Sequence, residues 1–197
     1  MYVSMMRSPD ILRSELGLRA LPETVTLFLS SYNLPPRLVA HLILVHDVAA
    51  QIVDFMTINW PSMKMDTEPI LIGAGWHDIG KTTFPEEISA PGHEHEKAGL
   101  MLLTNAGIDM RLARFALTHG TWATDDRIML EDLVVALADT CWKGKRDTLL
   151  EQRIQEILIS AGPGTKWDVF LILDNAIESI TSDASLRLSW QAQFSHE

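Results

Sequence analysis

The sequence predicts an all-α protein, and three observations carry that prediction. Apolar residues recur at spacings of three and four through several long segments, as in helices that bury one stripe. Between those segments stand breaks at Leu34-Pro35-Pro36, Trp60-Pro61, Gly107, Gly120 and Gly162-Pro163-Gly164 that end one helix and start the next. With 197 residues, 47% apolar and 21% charged, the chain has the size and composition of one globular domain with a sizeable core.

Taken in order, residues 9–16 (after Ser8) and 22–32 read as short helices. They form an accessory layer held by Leu12, Leu16, Val25, Phe28 and Leu29, with a homodimer contact as the alternative use. Residues 36–59 read as a long helix, in which Leu42, His46, Ala49, Val53 and Met56 make the buried stripe. His46 therefore faces inward, as a hydrogen-bonded core histidine or as a ligand, and His41 lies on a different face and reads as structural or exposed. Asp47 follows His46, either orienting a ligand or solvated.

After a polar connector, a helix over 68–79 contains Gly73 and Gly75, each costing about 1 kcal/mol against alanine, which points to close helix approach. Gly80 is expected to end it. Residues 82–92, with Pro85 and Pro91, make a loop with at most one helical turn, a candidate lid. The next helix runs from about His93 to Gly107 with Ala98, Met101, Leu102 and Asn105 on one face, and another over 109–119 turns Leu112, Phe115 and Ala116 inward. Residues 128–142 bury Leu130, Leu133, Val134, Leu137 and Cys141. Helices over 148–160, 166–179 and 185–194 follow, with apolar stripes through Leu150, Ile154, Ile157 and Leu158 and through Trp167, Phe170, Leu171 and Ile177.

Composition excludes several functions. The single cysteine, Cys141, allows neither an internal disulfide nor a cysteine-rich zinc site, and reads as a small core residue. A net charge of −10 argues against an extended nucleic-acid footprint. The start, MYVSMMRSPD, lacks the layout of a signal peptide, and no apolar run approaches the roughly 20 residues of a membrane span, so a cytoplasmic location without membrane contact is expected. No internal repeat, Walker loop or dinucleotide glycine pattern is present.

Chemistry concentrates around ILIGAGWHDIGK, residues 70–81, where an apolar run delivers His77 and Asp78 side by side into the interior. Two such polar groups need buried partners. Upstream lies His46 in HLILVHDVAAQIVDF; downstream come His95 in HEHEKAG, His119 in ALTHGTW and Asp139 in VVALADTCWKGKR. This order resembles the HD superfamily of metal-dependent phosphohydrolases over residues 35–146, and within it the six-ligand, two-metal branch in which the paired aspartate bridges two ions.

The resemblance implies an HD-domain helical bundle: a core over 35–146, accessory helices over 1–34 and C-terminal helices over 147–197. It implies metal ligands His46, His77, Asp78, His95, His119 and Asp139. His95 rather than His93 fits because His95, Glu96 and Gly99 match a His-Glu-x-x-Gly pattern; His93 then belongs to a lid, supports the ligands from behind, or is exposed. His119 could instead satisfy a helix end, and Asp139 could pair with Lys143 one turn on. Imidazoles and carboxylates without thiolate suit one or two divalent ions of manganese, iron, cobalt or nickel.

The implied reaction is hydrolysis of a phosphoester, in a nucleotide or another small phosphorylated metabolite, by a metal-activated water, with Asp78 and Lys81 catalytic. Lys81 would meet the substrate phosphate, and Lys143, Lys145 and Arg146 a distal one; a surface lysine at a helix end and a solvated basic turn are the plainer readings. Two rivals keep the site: a mixed-valence di-iron oxygenase of the same superfamily, and a non-catalytic metal-binding regulatory domain.

Overall fold

In the computed structural model, residues 16–125, 127–162 and 164–194 are described, and among them the chain is helical with no strand. The helix expected over 9–16, with Ser8 and Leu12, lies outside the described residues apart from Leu16, as does Pro163. The α-helices are α1 (Glu23–Ser30), α2 (Pro36–Asn59), α3 (Thr67–Ala74), α4 (Glu94–Asn105), α5 (Met110–Ala113), α6 (Phe115–Thr121), α7 (Leu130–Cys141), α8 (Thr148–Ala161), α9 (Lys166–Ser182) and α10 (Ala184–Gln191). Short 3-10 turns at Ile79–Thr82 and Pro85–Ile88 join α3 to α4, and a third, Ala192–Phe194, follows α10.

Local chemistry sets several of these boundaries. Pro36 opens α2 where its missing N–H costs nothing. Asp147 caps α8 by accepting from the Leu149 and Leu150 amides, and Thr165 with Asp168 forms a reciprocal capping box at α9. Helix α3 stops at Ala74, earlier than the expected 79, and the chain leaves it through Gly75 into turns that carry Trp76, His77 and Asp78.

Helices α2 and α7 are the axis of the core. Leu44, Val45, Val48, Ile52 and Met56 pack with Leu133, Val134, Leu137 and Cys141, and with Leu150, Ile154, Leu173 and Ile177 behind them. A second cluster sets Leu38 and Leu42 of α2 against Val25, Ile72, Trp76, Ile79 and Leu103. Helix α2 is thus buried on several faces. It is also long and apolar enough to cross a membrane, contrary to the expectation that no such run exists, yet 72% of its most apolar window is buried inside the fold.

Two helix faces differ from the sequence expectation. On α4 the buried residues are His95, Glu96, Gly99 and Leu103, while Met101 and Asn105 point outward. Helix α4 is held by Leu103 in the second cluster and by close contact at Gly99, where a Cβ would lie 3.1 Å from the Ala116 Cβ and from the Gly80 amide. On α9 the core takes Val169, Leu173, Ile177 and Ile180, and leaves Trp167 65% exposed beside Phe170 and Leu171.

Candidate metal centre

Four imidazoles and two carboxylates converge where α2, the turns after α3, α4, α6 and α7 meet. Because the chain is no longer α-helical at residues 77 and 78, the adjacent His77 and Asp78 turn towards one point, His77 Nε2 lying 3.6 Å from Asp78 Oδ2. The close approach of this turn to α4 depends on Gly80: a Cβ there would stand 1.9 Å from the His95 carbonyl oxygen and 2.5 Å from the Gly99 nitrogen. Gly80 keeps a negative φ, so its part is that close approach, not the helix stop expected from the sequence.

Asp78, 1% exposed, is the centre of the cluster. Its Oδ2 accepts from Lys81 Nζ at 2.5 Å and lies 2.9 Å from His41 Nε2; its Oδ1 lies 3.0 Å from His95 Nε2 and 3.4 Å from His119 Nε2. One oxygen thus faces the pair His41 and His77, whose Nε2 atoms are 3.2 Å apart, and the other faces His95 and His119, 3.4 Å apart. Asp139 Oδ1 completes the first group, 3.3 Å from His41 and 3.7 Å from His77.

The opposite ring nitrogens fix the protons. His77 Nδ1 donates to the Ala74 carbonyl at 3.0 Å, His119 Nδ1 to the Phe115 carbonyl at 2.9 Å, and His95 Nδ1 to Glu87 Oε2 at 2.5 Å. Each neutral ring therefore presents a bare Nε2 lone pair to the cluster. Lone pairs facing each other and a shared carboxylate repel unless a cation lies among them, so this donor set fits divalent metal.

Electrostatics couple the same groups. Burial alone would raise the Asp78 carboxyl, but His77 and, where their rings are protonated, hydrogen bonds from His119, His41 and His95 hold it well below the usual carboxylate range. Asp139 is depressed likewise, burial being outweighed by His41 and His77. Burial lowers His77; in His41 and His95 the same burial effect is overcome by their carboxylate partners, and both are raised.

The sequence-selected residues divide clearly. His77, Asp78, His95, His119 and Asp139 come together, and His46 does not. His46 Nδ1 lies 3.1 Å from the Leu71 carbonyl and Nε2 3.0 Å from the Ala20 carbonyl, so it ties α2 to α3 and to the segment before α1. His41, read as structural or exposed, stands in its place. Leu38, His41, Leu42 and Val45 form as good a helical stripe as the one through His46, and on a helix buried on several faces periodicity cannot choose between them. Asp47 is also elsewhere, accepting from the Arg19 amide at 3.1 Å and the Gln51 side chain at 2.8 Å.

His93 is 90% exposed in its side chain and touches Glu96 Oε1 at 3.1 Å. Glu87 was not singled out from the sequence; it accepts from His95 Nδ1 and from the Glu94 and His95 amides, so the short turn over Pro85–Ile88 fixes a ligand ring. Lys81, Lys143 and Lys145 line a cavity beside the cluster, joined by Arg37, which the sequence reading missed. Arg146 points elsewhere, paired with Glu151 at 2.6 Å and Asp174 at 2.7 Å, which removes it from the distal-phosphate group.

The two histidines of α2 should therefore behave differently. His41→Ala is expected to weaken metal binding by more than about 100-fold, the upper range for residues that only support a ligand. His46→Ala should retain metal and instead lose about 1–3 kcal/mol of stability through its orphaned carbonyl partners. Metal titration and urea denaturation of both variants check this.

A family model described as HD domain matches residues 36–142, from the start of α2 to the residue after α7. Comparison with curated proteins and with solved structures gives no significant match.

Proposed function

The chain belongs to the HD domain family, and we propose that it is a metal-dependent phosphohydrolase acting on a small phosphorylated substrate. The observation that carries this reading is the Asp78 carboxylate set between two histidine pairs, with Lys81 on one of its oxygens and a cation-lined cavity alongside. His41, His77 and Asp139 would hold one divalent ion and His95 and His119 a second, with Asp78 common to both. Bound there, such ions supply Lewis acidity and a nucleophilic water at neutral pH.

The chain's own groups prepare the rest. The Ala74 and Phe115 carbonyls and Glu87 keep the protons of His77, His119 and His95 on Nδ1, leaving Nε2 free to ligate. Lys81 places a positive charge where negative charge builds on a phosphoryl group. Trp142, Leu38 and Ile88 supply the apolar part of the cavity wall.

A di-iron oxygenase is the second reading, favoured by the same all-imidazole and carboxylate donor set around a shared aspartate. Hydrolysis is distinguished by its requirements. With manganese, cobalt or nickel and without oxygen, the protein should release phosphate or an alcohol from members of a phosphoester panel, and Lys81→Ala should lower that rate by about 10²-fold or more. Turnover that needs iron and consumes oxygen, with no phosphoester cleaved, would replace the hydrolase with the oxygenase.

A further inference from the structure

The cavity beside the histidine cluster encloses about 470 Å³, and its wall differs in charge from the molecule around it. The chain carries a net −10, yet Arg37, Lys81, Lys143 and Lys145 stand in this wall with two carboxylates, Asp78 and Asp139. Both carboxylates are bound up in the cluster, 2.9 and 3.3 Å from His41 Nε2. Lys81 is committed to Asp78 at 2.5 Å, whereas Lys143 reaches Asp139 only at 3.8 Å. Lys145 makes no ion pair or side-chain hydrogen bond among the described residues.

One phosphoester at the Asp78 and Lys81 end leaves Lys143 and Lys145 of the outer wall without an anionic counterpart from the substrate. Among the described residues the wall offers no exposed aromatic face for a nucleobase: Trp142 is 5% exposed, the His41 ring packs edge-on against it at 5.1 Å between centroids, and Lys143 Nζ lies 5.7 Å from its ring centre. Leu188 and Gln191 of α10 close the cavity from outside the matched span 36–142, so part of its shape is built by the C-terminal helices.

We infer that the substrate is a compact metabolite with two anionic groups, its phosphoester beside Asp78 and Lys81 and a second phosphate or carboxylate held by Arg37, Lys143 and Lys145. This inference rests on the phosphohydrolase reading for the first group and on the cavity wall alone for the second. Arg37 and Lys145 are then specificity-determining residues, one from the first turn of α2 and the other from the turn after α7.

The test uses the manganese-loaded full chain with matched probes. 3-Phosphoglycerate and glycerol 3-phosphate differ by a carboxylate, AMP adds a base, and ethane-1,2-diphosphonate and ethylphosphonate report binding without turnover. Charge-assisted contacts to a second anion should favour the doubly anionic member of each pair by about tenfold or more, in kcat/KM or in Kd. Arg37→Gln and the more exposed Lys145→Gln should each erase most of that ratio, while circular dichroism confirms that both fold.

Ratios near one in the wild type, ratios unchanged in both variants, or AMP as the best of the three esters would overturn the inference. If no ester is cleaved, the hydrolase reading fails by itself. The diphosphonate ratio then still decides: a tenfold preference lost in the variants supports a site for a doubly anionic ligand, and a ratio near one removes it.

Discussion

Asp78→Ala is expected to hold no divalent metal and to have no phosphohydrolase turnover, while its far-ultraviolet circular dichroism remains that of a helical protein. The side chain is almost fully buried, and its two oxygens face different histidine pairs, so no neighbour can take over both roles. Without it, Lys81 loses its partner at 2.5 Å and four imidazoles lose their shared negative charge. Breaking such a buried arrangement by removing one partner is costly, about 3–5 kcal/mol for a buried pair.

Metal-linked stabilisation should vanish as well. A ligand present at 100 times its Kd contributes about 2.7 kcal/mol to the wild type, and a variant that cannot bind gains nothing from added manganese. Asp78→Asn, which keeps the volume and removes the charge, should share the defect. Elemental analysis and thermal unfolding with and without manganese read both effects, and unchanged metal stoichiometry in Asp78→Ala would assign the residue a purely structural part.

Among the glycines, Gly80 should tolerate an added methyl least. The added Cβ would meet the His95 carbonyl and the Gly99 amide, which are backbone atoms of α4 and cannot rotate aside as a side chain can. The 3-10 turn carrying Lys81 must then separate from the helix carrying His95. Overpacking of this kind costs about 1–3 kcal/mol and more where backbone must move, and it draws Asp78 away from His95 and His119.

Gly107→Ala is the useful contrast. Gly107 has a φ of +81° and nothing within 4 Å of an added Cβ, so its cost is the backbone term of about 1–2 kcal/mol alone. It should leave metal binding intact. Equal stability and equal metal affinity in the two alanine variants would refute the tight contact between the turn and α4.

Much of this arrangement can be read from residue order. The all-α class and the positions of α2, α7, α8 and α9 follow from apolar spacing with proline and glycine breaks, and the His77-Asp78 pair with His95, His119 and Asp139 marks the residues that the fold brings together. Most of what escaped the sequence depends on neighbours that are distant in the chain. His41 and His46 both lie on an inward face of α2, and only the position of Asp78 distinguishes them.

The face of α4 is set by Gly99 against Ala116 and Gly80, which an apolar count passes over in favour of Met101. Trp167 and Phe170 stack on each other, 5.3 Å between centroids, at an exposed position where periodicity reads a core stripe. Arg146 belongs to a basic run with Lys143 and Lys145, but Asp174 on α9, far along the chain, takes it away. Glu87 gave only the faint signal of an acidic pair after Pro85, and its part depends on a turn that folds back onto His95.

Whether Asp78 is shared by two metal positions can be read from anomalous diffraction of manganese-loaded crystals. Two peaks flanking the Asp78 carboxylate are expected, one beside His41, His77 and Asp139 and the other beside His95 and His119. A single peak on the His41 side would make the centre mononuclear, and a metal held without Asp78 would rule out a shared carboxylate altogether.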